Sequence, residues 1–90
     1  MYEVTFTNQY KKDYKLCMKR DYDILLLDDL LTKLGQTGTV PAINRPHILS
    51  GKLQGYWECH VKGDWLLIWT KNEDQKMIYL ARTGTHSDLL

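Results

Sequence analysis

The sequence has little of several features that would assign a protein class at once. It has only two cysteines, Cys17 and Cys59, separated by 41 residues and without a C-x-x-C pair, so neither a disulfide framework nor a zinc ribbon is expected. We expect both to be buried free thiols. The longest apolar run, Ile24–Leu27, is far shorter than the roughly 20 residues that cross a bilayer, and the first ten residues lack the apolar stretch of a signal peptide. A soluble, cytoplasmic protein without membrane contact is therefore predicted.

The net charge of the chain is also small. Twelve Lys and Arg against eleven Asp and Glu give +1 over 90 residues, which excludes a strongly basic histone-like protein and an acidic disordered chain. With 43% hydrophobic and 26% charged residues, the composition is that of one compact domain over residues 1–90. Any contact with nucleic acid must come from a local patch. The clearest patch is residues 11–20, which hold five positive charges and one negative.

The first third of the chain predicts a strand and a helical hairpin. Polar and apolar residues alternate over Tyr2–Phe6, as in a half-buried strand. Thr7-Asn8 can cap a first helix, and Asp21 or Asp23 a second, for which Gly35 is the expected stop. The apolar stripes of the two helices are Tyr10, Tyr14, Cys17 and Met18, and then Ile24, Leu27, Leu30, Leu31 and Leu34.

The rest of the chain predicts a long loop followed by sheet. Residues 35–54 show neither period and are predicted as one loop, with room for a short strand around Ile48. Three runs rich in aromatic and branched residues predict strands at Tyr56–Val61, Trp65–Trp69 and Met77–Ala81. The order β-α-α-β-β-β indicates an α+β fold, in which the N-terminal strand and the helical hairpin pack on one face of a small, mostly antiparallel sheet.

A tight turn at Lys62-Gly63 would set the register of the first hairpin. It pairs His60 with Trp65 and Cys59 with Leu66. Alternation then assigns two faces. The face toward the helices would hold Trp57, Cys59, Val61, Leu66 and Ile68, and the opposite face Tyr56, Glu58, His60, Trp65, Leu67 and Trp69. The second face, rich in aromatic rings, is either a ligand surface or is covered by other parts of the chain.

Three histidines, His47, His60 and His86, lie in the second half of the chain, which also contains Asp64 and Arg82. If folding brings them together, they suit cleavage of RNA through its own 2′-hydroxyl, which requires a base, a cation and an acid. Imidazole can be base or acid at neutral pH, and arginine binds phosphate through its planar fork. Because the substrate supplies the nucleophile, no metal or other cofactor is required. Structural histidines without a catalytic role are the alternative.

Three motifs then indicate a family. His47–Gly51 reads H-x-L-x-G, His60–Trp65 reads H-x-x-x-D-W, and Arg82–His86 reads R-x-G-x-H. With the helix start at Tyr10–Asp13 and the chain length, they resemble the YafQ branch of the RelE-superfamily toxins over nearly the whole chain.

The resemblance implies the toxin half of a bacterial type II toxin-antitoxin pair with a RelE-like fold. Such a toxin is a ribosome-dependent endoribonuclease that cuts mRNA in the ribosomal A site. It is silenced by a cognate antitoxin, and it reaches operator DNA only through the toxin-antitoxin complex.

The resemblance also assigns residues to the site. The catalytic set of the family falls on His47, His60, Asp64, Arg82 and His86. His86 is the leading candidate for the general acid. Asp64 and His60 would act at or near the base side. Arg82 would hold the phosphate, and His47 would position or assist.

Further RNA contacts are expected from Trp65, Lys62 and Leu90. Trp65 would pack on a base or support the neighbouring aspartate. Leu90 stands where relatives commonly have an aromatic residue, so it offers no π face. The basic helix over residues 11–20 is either a solvated face, a contact for rRNA phosphates, or a docking surface for an acidic antitoxin segment.

Two alternatives from other classes remain at this point. One is a RelE-like module that binds only antitoxin or operator DNA and has lost cleavage. The other is a transition-metal-binding protein that uses its His and Cys residues, which is weaker because the adjacent Cys and His would point to opposite faces of a strand.

Overall fold

The computed structural model describes residues 1–89 as a mixed sheet with helices that follow its first strand and its last. The element order confirms the predicted α+β class, with a short strand around Ile48, β2 (His47–Ile48), and with one helix that the sequence did not predict, α3 (His86–Leu89). Two single-turn 3-10 helices, Ala42–Asn44 and Gly51–Leu53, flank β2. The other elements are β1 (Glu3–Phe6), α1 (Asn8–Lys19), α2 (Ile24–Thr37), β2 (His47–Ile48), β3 (Trp57–Lys62), β4 (Trp65–Asn72), β5 (Met77–Thr85) and α3 (His86–Leu89).

The sheet has five strands in the order β1-β5-β4-β3-β2. β1 runs parallel to β5 and the other three pairs are antiparallel, which confirms the mostly antiparallel sheet. Apolar side chains of α1 and α2 share one buried cluster with the sheet, so burial of that cluster holds the helices on the sheet. Its members include Tyr10, Cys17, Leu27, Leu30, Leu34, Cys59, Leu67, Trp69, Ile78 and Leu80.

The two helices begin and end differently from each other. Thr7 caps α1, as predicted, because its hydroxyl accepts a hydrogen bond from Tyr10 N at 3.0 Å. Asp23 precedes α2, but its side chain makes no capping bond within residues 1–89. The predicted stop of α2 at Gly35 was wrong, because the helix continues to Thr37 and ends at Gly38. None of the helices in these residues is long and apolar enough to cross a membrane.

The two glycines near the end of α2 have different physical roles. Gly35 lies against β1, where its carbonyl accepts a hydrogen bond from Tyr2 N at 2.7 Å. Gly38 has φ +80, a conformation that glycine adopts without strain, and a Cβ there would lie 2.5 Å from the Tyr2 ring. The helix therefore ends where the backbone needs a left-handed residue.

The predicted register of the β3–β4 hairpin was wrong by one residue. The turn is Gly63-Asp64 rather than Lys62-Gly63, and an irregularity lies between His60 and Lys62. This extra residue shifts the pairing, and a shift of one residue inverts the faces of the second strand. In the structure Cys59 pairs with Leu67, Trp57 with Trp69, and His60 with Leu66. Trp65, Leu67 and Trp69 therefore face the helices, whereas Leu66 and Ile68 share the opposite face with Glu58 and His60.

Side chains of α1 complete the edge of β5 where β1 ends. β1 pairs with β5 only as far as Leu80. Beyond that point the Ala81 carbonyl accepts a hydrogen bond from the Thr7 hydroxyl at 3.0 Å, and Thr83 N donates to Asp13 at 3.1 Å. Polar groups of α1 thus satisfy the second half of β5, the part of the sheet that leads to α3.

The two cysteines are buried free thiols, as predicted. Burial raises the pKa of Cys59 to about 12 and also raises the pKa of Cys17. Both are thus uncharged at neutral pH and act as small core residues.

Candidate active site

Strand register brings the candidate residues to one face of the sheet. Paired residues in neighbouring strands point to the same side, and one row crosses the sheet as His47, Glu58, Ile68 and Arg82. The next row contains His60, Leu66 and Gly84. With strands roughly 4.8 Å apart, the backbones at the two ends of the first row are roughly 14 Å apart. Ile68 in the middle of this row is only 2% exposed, so the polar residues of the row lie on either side of a buried apolar centre.

At one end of this face His47 contacts Glu58, and we call these two residues the β2–β3 pair. The Nε2 of His47 lies 3.2 Å from a Glu58 carboxylate oxygen, and its Nδ1 donates to the Arg45 carbonyl at 2.9 Å. The His60 ring lies beside it, 6.5 Å away between ring centroids. Its Nδ1 donates to the Gly63 carbonyl at 3.0 Å, which leaves Nε2 for other contacts.

At the other end Asp64 meets His86, and we call these two residues the α3 pair. Asp64 is in the β3–β4 turn and His86 is the first residue of α3. The His86 Nδ1 lies 2.5 Å from a carboxylate oxygen of Asp64, so this bond orients the ring, and Nε2 bonds to no other group within residues 1–89. A cavity of about 470 Å³ opens beside the pair, lined in part by Lys62, Trp65 and Thr85.

Arg82 is held by a carboxylate of α1. Its Nε and one terminal nitrogen donate to the two oxygens of Asp13, at 2.8 and 3.2 Å. The Asp13 carboxylate is buried and also accepts from Thr83 N. Hydrogen bonding to Asp13 raises the pKa of Arg82 above its ordinary value. The other terminal nitrogen, Nη1, bonds to no acceptor within residues 1–89, and the side chain is one-third exposed.

Asp13 was not among the functional residues predicted from the sequence. In the sequence it is simply the one negative charge in a basic stretch. Its position between Tyr10 and Cys17 on the buried stripe of α1 was the available signal, because an unpaired buried carboxylate is costly and requires a partner. Glu58 was assigned to the correct face, but its contact with His47 was not foreseen. Nothing in the motifs indicated Arg20 or Asp88, which bond to each other near His86.

The three expected RNA-contact residues have different surroundings. Trp65 is only 5% exposed, because the corrected register turns it toward the helices, where it packs on Tyr22 with ring centroids 5.0 Å apart. Its indole donates to the Thr83 hydroxyl at 2.9 Å. Trp65 thus supports the structure behind the α3 pair, and its predicted place on the ligand face was wrong. Lys62 is exposed at the end of β3. Leu90 lies outside the described residues.

No group of three or more His, Cys, Asp and Glu side chains in residues 1–89 is placed to hold a metal ion. Cys59 is fully buried on the face toward the helices, while His60 lies on the opposite face.

Comparison with known proteins relates this chain to one protein family over almost its whole length. A sequence model for the family described as "Bacterial toxin of type II toxin-antitoxin system, YafQ" matches residues 2–90. The mRNA interferase toxin YafQ of Escherichia coli K12 is 39% identical over 88 residues, which are 97% of this chain and 94% of that protein.

Solved structures agree with this match. The E. coli DinJ-YafQ toxin-antitoxin complex contains a chain with TM-score 0.88 and 38% identity, covering 99% of this chain and 97% of that one. A YafQ mutant from E. coli with a histidine replaced by glutamine gives TM-score 0.90 at 35% identity, covering 100% and 99% of the two chains. A metal-bound toxin from Helicobacter pylori gives 0.89 at 31%, covering both chains completely. The family match and these identities establish that the chain belongs to the YafQ family of bacterial type II toxins.

Proposed function

We propose that this chain is an mRNA interferase that cleaves mRNA through the 2′-hydroxyl of the substrate. The observation that carries the proposal is the α3 pair, a histidine oriented by a carboxylate at the end of a sheet face that also holds His60 and Arg82. An oriented imidazole with one unbound nitrogen is suited to proton transfer. The E. coli relatives named as mRNA interferases support the same activity.

His60 is the proposed general base. Its Nδ1 is committed as a donor to the Gly63 carbonyl, so the neutral ring presents an unprotonated Nε2. This nitrogen takes the proton of the 2′-hydroxyl as the oxygen attacks the adjacent phosphorus. The Asp64 carboxylate, which we expected near the base, bonds instead to the other histidine. The base role therefore falls to His60 alone.

His86 is the proposed general acid. Its Nδ1 donates to Asp64, and its Nε2 gives a proton to the 5′-oxygen as the bond from phosphorus to that oxygen breaks. Asp64 orients the ring, in the manner of a carboxylate that fixes a catalytic imidazole. The products are a 2′,3′-cyclic phosphate and a 5′-hydroxyl.

Two cations stabilise the phosphate in this proposal. Arg82 offers Nη1, while Asp13 holds the rest of its guanidinium in place. His47 Nδ1 donates to the Arg45 carbonyl and Nε2 lies 3.2 Å from the Glu58 carboxylate, so the protonated imidazole would supply the second positive charge. Because these groups and the 2′-hydroxyl complete the reaction, the scheme uses no metal or other cofactor.

The ribosome would supply the substrate. A net charge of +1 gives the chain little general attraction for free RNA. A toxin that meets mRNA already positioned in the ribosomal A site needs no such attraction, and the reaction then takes place in the cytoplasm. Lys62, exposed beside the α3 pair, is proposed to contact the RNA backbone. Operator DNA would be bound only by the complex with antitoxin.

Mapping the ends of cleaved transcripts tests the chemistry. Purified toxin is added to ribosomes programmed with a defined mRNA, and the fragments are expected to carry a 5′-hydroxyl and a 2′,3′-cyclic phosphate. A 5′-phosphate would contradict attack by the 2′-hydroxyl. No cleavage by folded protein would favour the module that only binds antitoxin or operator DNA.

Replacement of His86 tests the general acid. His86→Ala is expected to lower the cleavage rate by about 10²–10⁴-fold, the usual contribution of one general acid or base. Ser87→Ala is the matched control, since Ser87 is the next residue of α3 and is exposed. Full activity in the histidine variant would remove His86 from the mechanism.

The antitoxin is proposed to dock in a groove formed mainly by β1, α1 and α2. This groove of about 640 Å³ is lined mainly by apolar side chains of β1 and α1, including Phe6 and Met18, which are about half exposed. Lys11 and Lys15 also line it, against one carboxylate, that of Asp28. An apolar floor with positive charges at its side fits an amphipathic, acidic peptide segment better than rRNA phosphates. Association of the related YafQ with the antitoxin DinJ supports a protein partner.

Charge inserted into the groove tests this contact. Met18→Glu is expected to abolish neutralisation by a co-expressed cognate antitoxin, while ribosomal cleavage persists. Leu25→Glu is the control, because Leu25 is 74% exposed on α2 and does not line the groove. Normal neutralisation and antitoxin affinity in the Met18 variant would place the antitoxin elsewhere.

A further inference from the structure

The proposed general acid lies on α3, a helix that is too short to be stable without contacts to the rest of the protein. α3 is four residues long, and His86 is its first residue. A single helical turn in isolation is unstable, because nucleation of a helix costs more than one turn regains. Other parts of the molecule must therefore fix the backbone of His86.

A reciprocal pair of hydrogen bonds closes α3. Thr85 N donates to the Asp88 carboxylate at 2.9 Å, and Asp88 N donates back to the Thr85 hydroxyl at 3.3 Å. This is a capping box, with aspartate in place of the usual glutamate or glutamine three residues after the cap. His86 lies between the two bonded residues, so the box sets its backbone.

Gly84 makes room for this box. A Cβ at Gly84 would lie 2.9 Å from an Asp88 carboxylate oxygen and 3.1 Å from its Cβ. The residue also has φ +153, which side-chain-bearing residues rarely adopt. The glycine of the R-x-G-x-H motif is thus explained by the position of Asp88, which lies outside the motif.

Arg20, at the end of α1, donates hydrogen bonds to Asp88 of this capping box. Its two terminal nitrogens donate to the two oxygens of Asp88, at 2.6 and 3.1 Å. The Arg20 backbone is itself fixed, because it forms the end of α1 and its N–H donates to the Leu16 carbonyl at 3.0 Å. Bonds from Arg20 and the Thr85 amide keep the pKa of Asp88 below its ordinary value, so the carboxylate stays ionised.

We propose that Arg20 and Asp88 are positioning residues for His86: by fixing α3 they hold the imidazole on Asp64 and at a constant distance from the 5′-oxygen. This inference rests on the catalytic role of His86 proposed above. The Arg20–Asp88 pair is partly exposed, and such pairs add little to stability. Misplacement of a catalytic group by about 1 Å can cost about 10²-fold in rate. The pair should therefore matter more for rate than for folding.

The test is a double-mutant cycle with Arg20→Gln, Asp88→Asn and the double variant. Single-turnover cleavage is measured over a range of programmed-ribosome concentrations. Each single variant is expected to lower the rate at saturating ribosomes by about 10–100-fold, with the half-saturating concentration unchanged. The double variant should be no slower than the slower single variant, because both remove one interaction. Arg20→Lys, which keeps the charge without the fork, should recover part of the rate.

Two further measurements separate positioning from a general structural effect. Lys33→Gln, which breaks the exposed Lys33–Asp29 pair on α2, is the matched control and should cleave like the unaltered protein. In ¹⁵N NMR spectra, the ring nitrogens of His86 should show one fixed tautomer in the unaltered protein and an averaged state in the Arg20 and Asp88 variants.

The outcomes separate this inference from the proposed function. If His86→Ala loses cleavage but Arg20→Gln and Asp88→Asn match Lys33→Gln, the positioning role is wrong and the general acid stands. A change only in the half-saturating concentration also overturns the inference, since it would make Arg20 a ribosome contact. If His86→Ala cleaves normally, the proposed general acid fails and the positioning role fails with it.

Discussion

The two histidine–carboxylate pairs of the site are held by different kinds of structure. In the β2–β3 pair the carboxylate is the fixed partner: Glu58, the second residue of β3, is only 13% exposed, whereas His47 lies on a two-residue edge strand and is 46% exposed. In the α3 pair both side chains are more than half exposed, but the backbone of His86 is fixed by Thr85 and Asp88.

This difference indicates a division of tasks. A proton donor must be held within a short distance of the leaving oxygen, and the capped turn of α3 provides such a position. A cation that attracts a phosphate acts through the longer-range Coulomb interaction, which tolerates the looser attachment of β2. We therefore expect the α3 pair to be sensitive to geometry and the β2–β3 pair mainly to charge.

The largest effect is expected from exchanging each carboxylate for its amide. Asp64→Asn should lower the cleavage rate by about 10²-fold or more, because the amide can donate to Nδ1 and hold the wrong tautomer of His86. Glu58→Gln should lower it by about tenfold or less, since His47 keeps its bond to the Arg45 carbonyl. Single-turnover rates on programmed ribosomes decide the order. Equal losses would mean that the two pairs have the same sensitivity to geometry.

A smaller effect is expected from the tryptophans near each pair, measured as stability in urea. Trp65→Phe removes the bond from the indole to Thr83 in the buried region behind the α3 pair, and should lower the free energy of unfolding by about 1–3 kcal/mol. Trp57→Phe is the matched change in β3, where the ring is partly exposed and stacked on Trp69, and should cost less. The reverse order would contradict the assignment of Trp65 as the support of the α3 pair.

The smallest effect concerns pH and Asp88. Its pKa in the folded protein lies below the unfolded value of about 3.9, so its ionised form adds stability above that pH and this contribution is lost as the pH falls through the folded pKa. Asp88→Asn should lower the free energy of unfolding by only about 0.2–1 kcal/mol near neutral pH, because the pair with Arg20 is partly exposed.

Thermal unfolding between about pH 7 and pH 3 checks this prediction. The difference between the Asp88 variant and the unaltered protein should be constant above about pH 5 and should shrink below about pH 4. Ser87→Ala should follow the unaltered protein throughout. A difference that grows as the pH falls would have the wrong sign for a carboxylate with a lowered pKa.

Local sequence patterns predicted most of the secondary structure. The alternation at the N-terminus, the two helical stripes and the three branched or aromatic runs all correspond to observed elements. The errors arose where a local signal had more than one meaning. Gly35 looked like a helix stop but packs on β1, and Lys62-Gly63 looked like the turn although the turn is one residue later. The extra residue between His60 and Lys62 then reversed the predicted environment of Trp65.

The sequence alone determined the types of chemistry available and the α+β arrangement, because side-chain chemistry and periodicity are properties of short segments. Only the tertiary structure decided which groups meet. Asp64 and His86 are 22 residues apart, Arg20 and Asp88 are 68 apart, and Asp13 and Arg82 are 69 apart. Such contacts depend on strand register and on the packing of α1 against β5, and neither is encoded by any one local pattern.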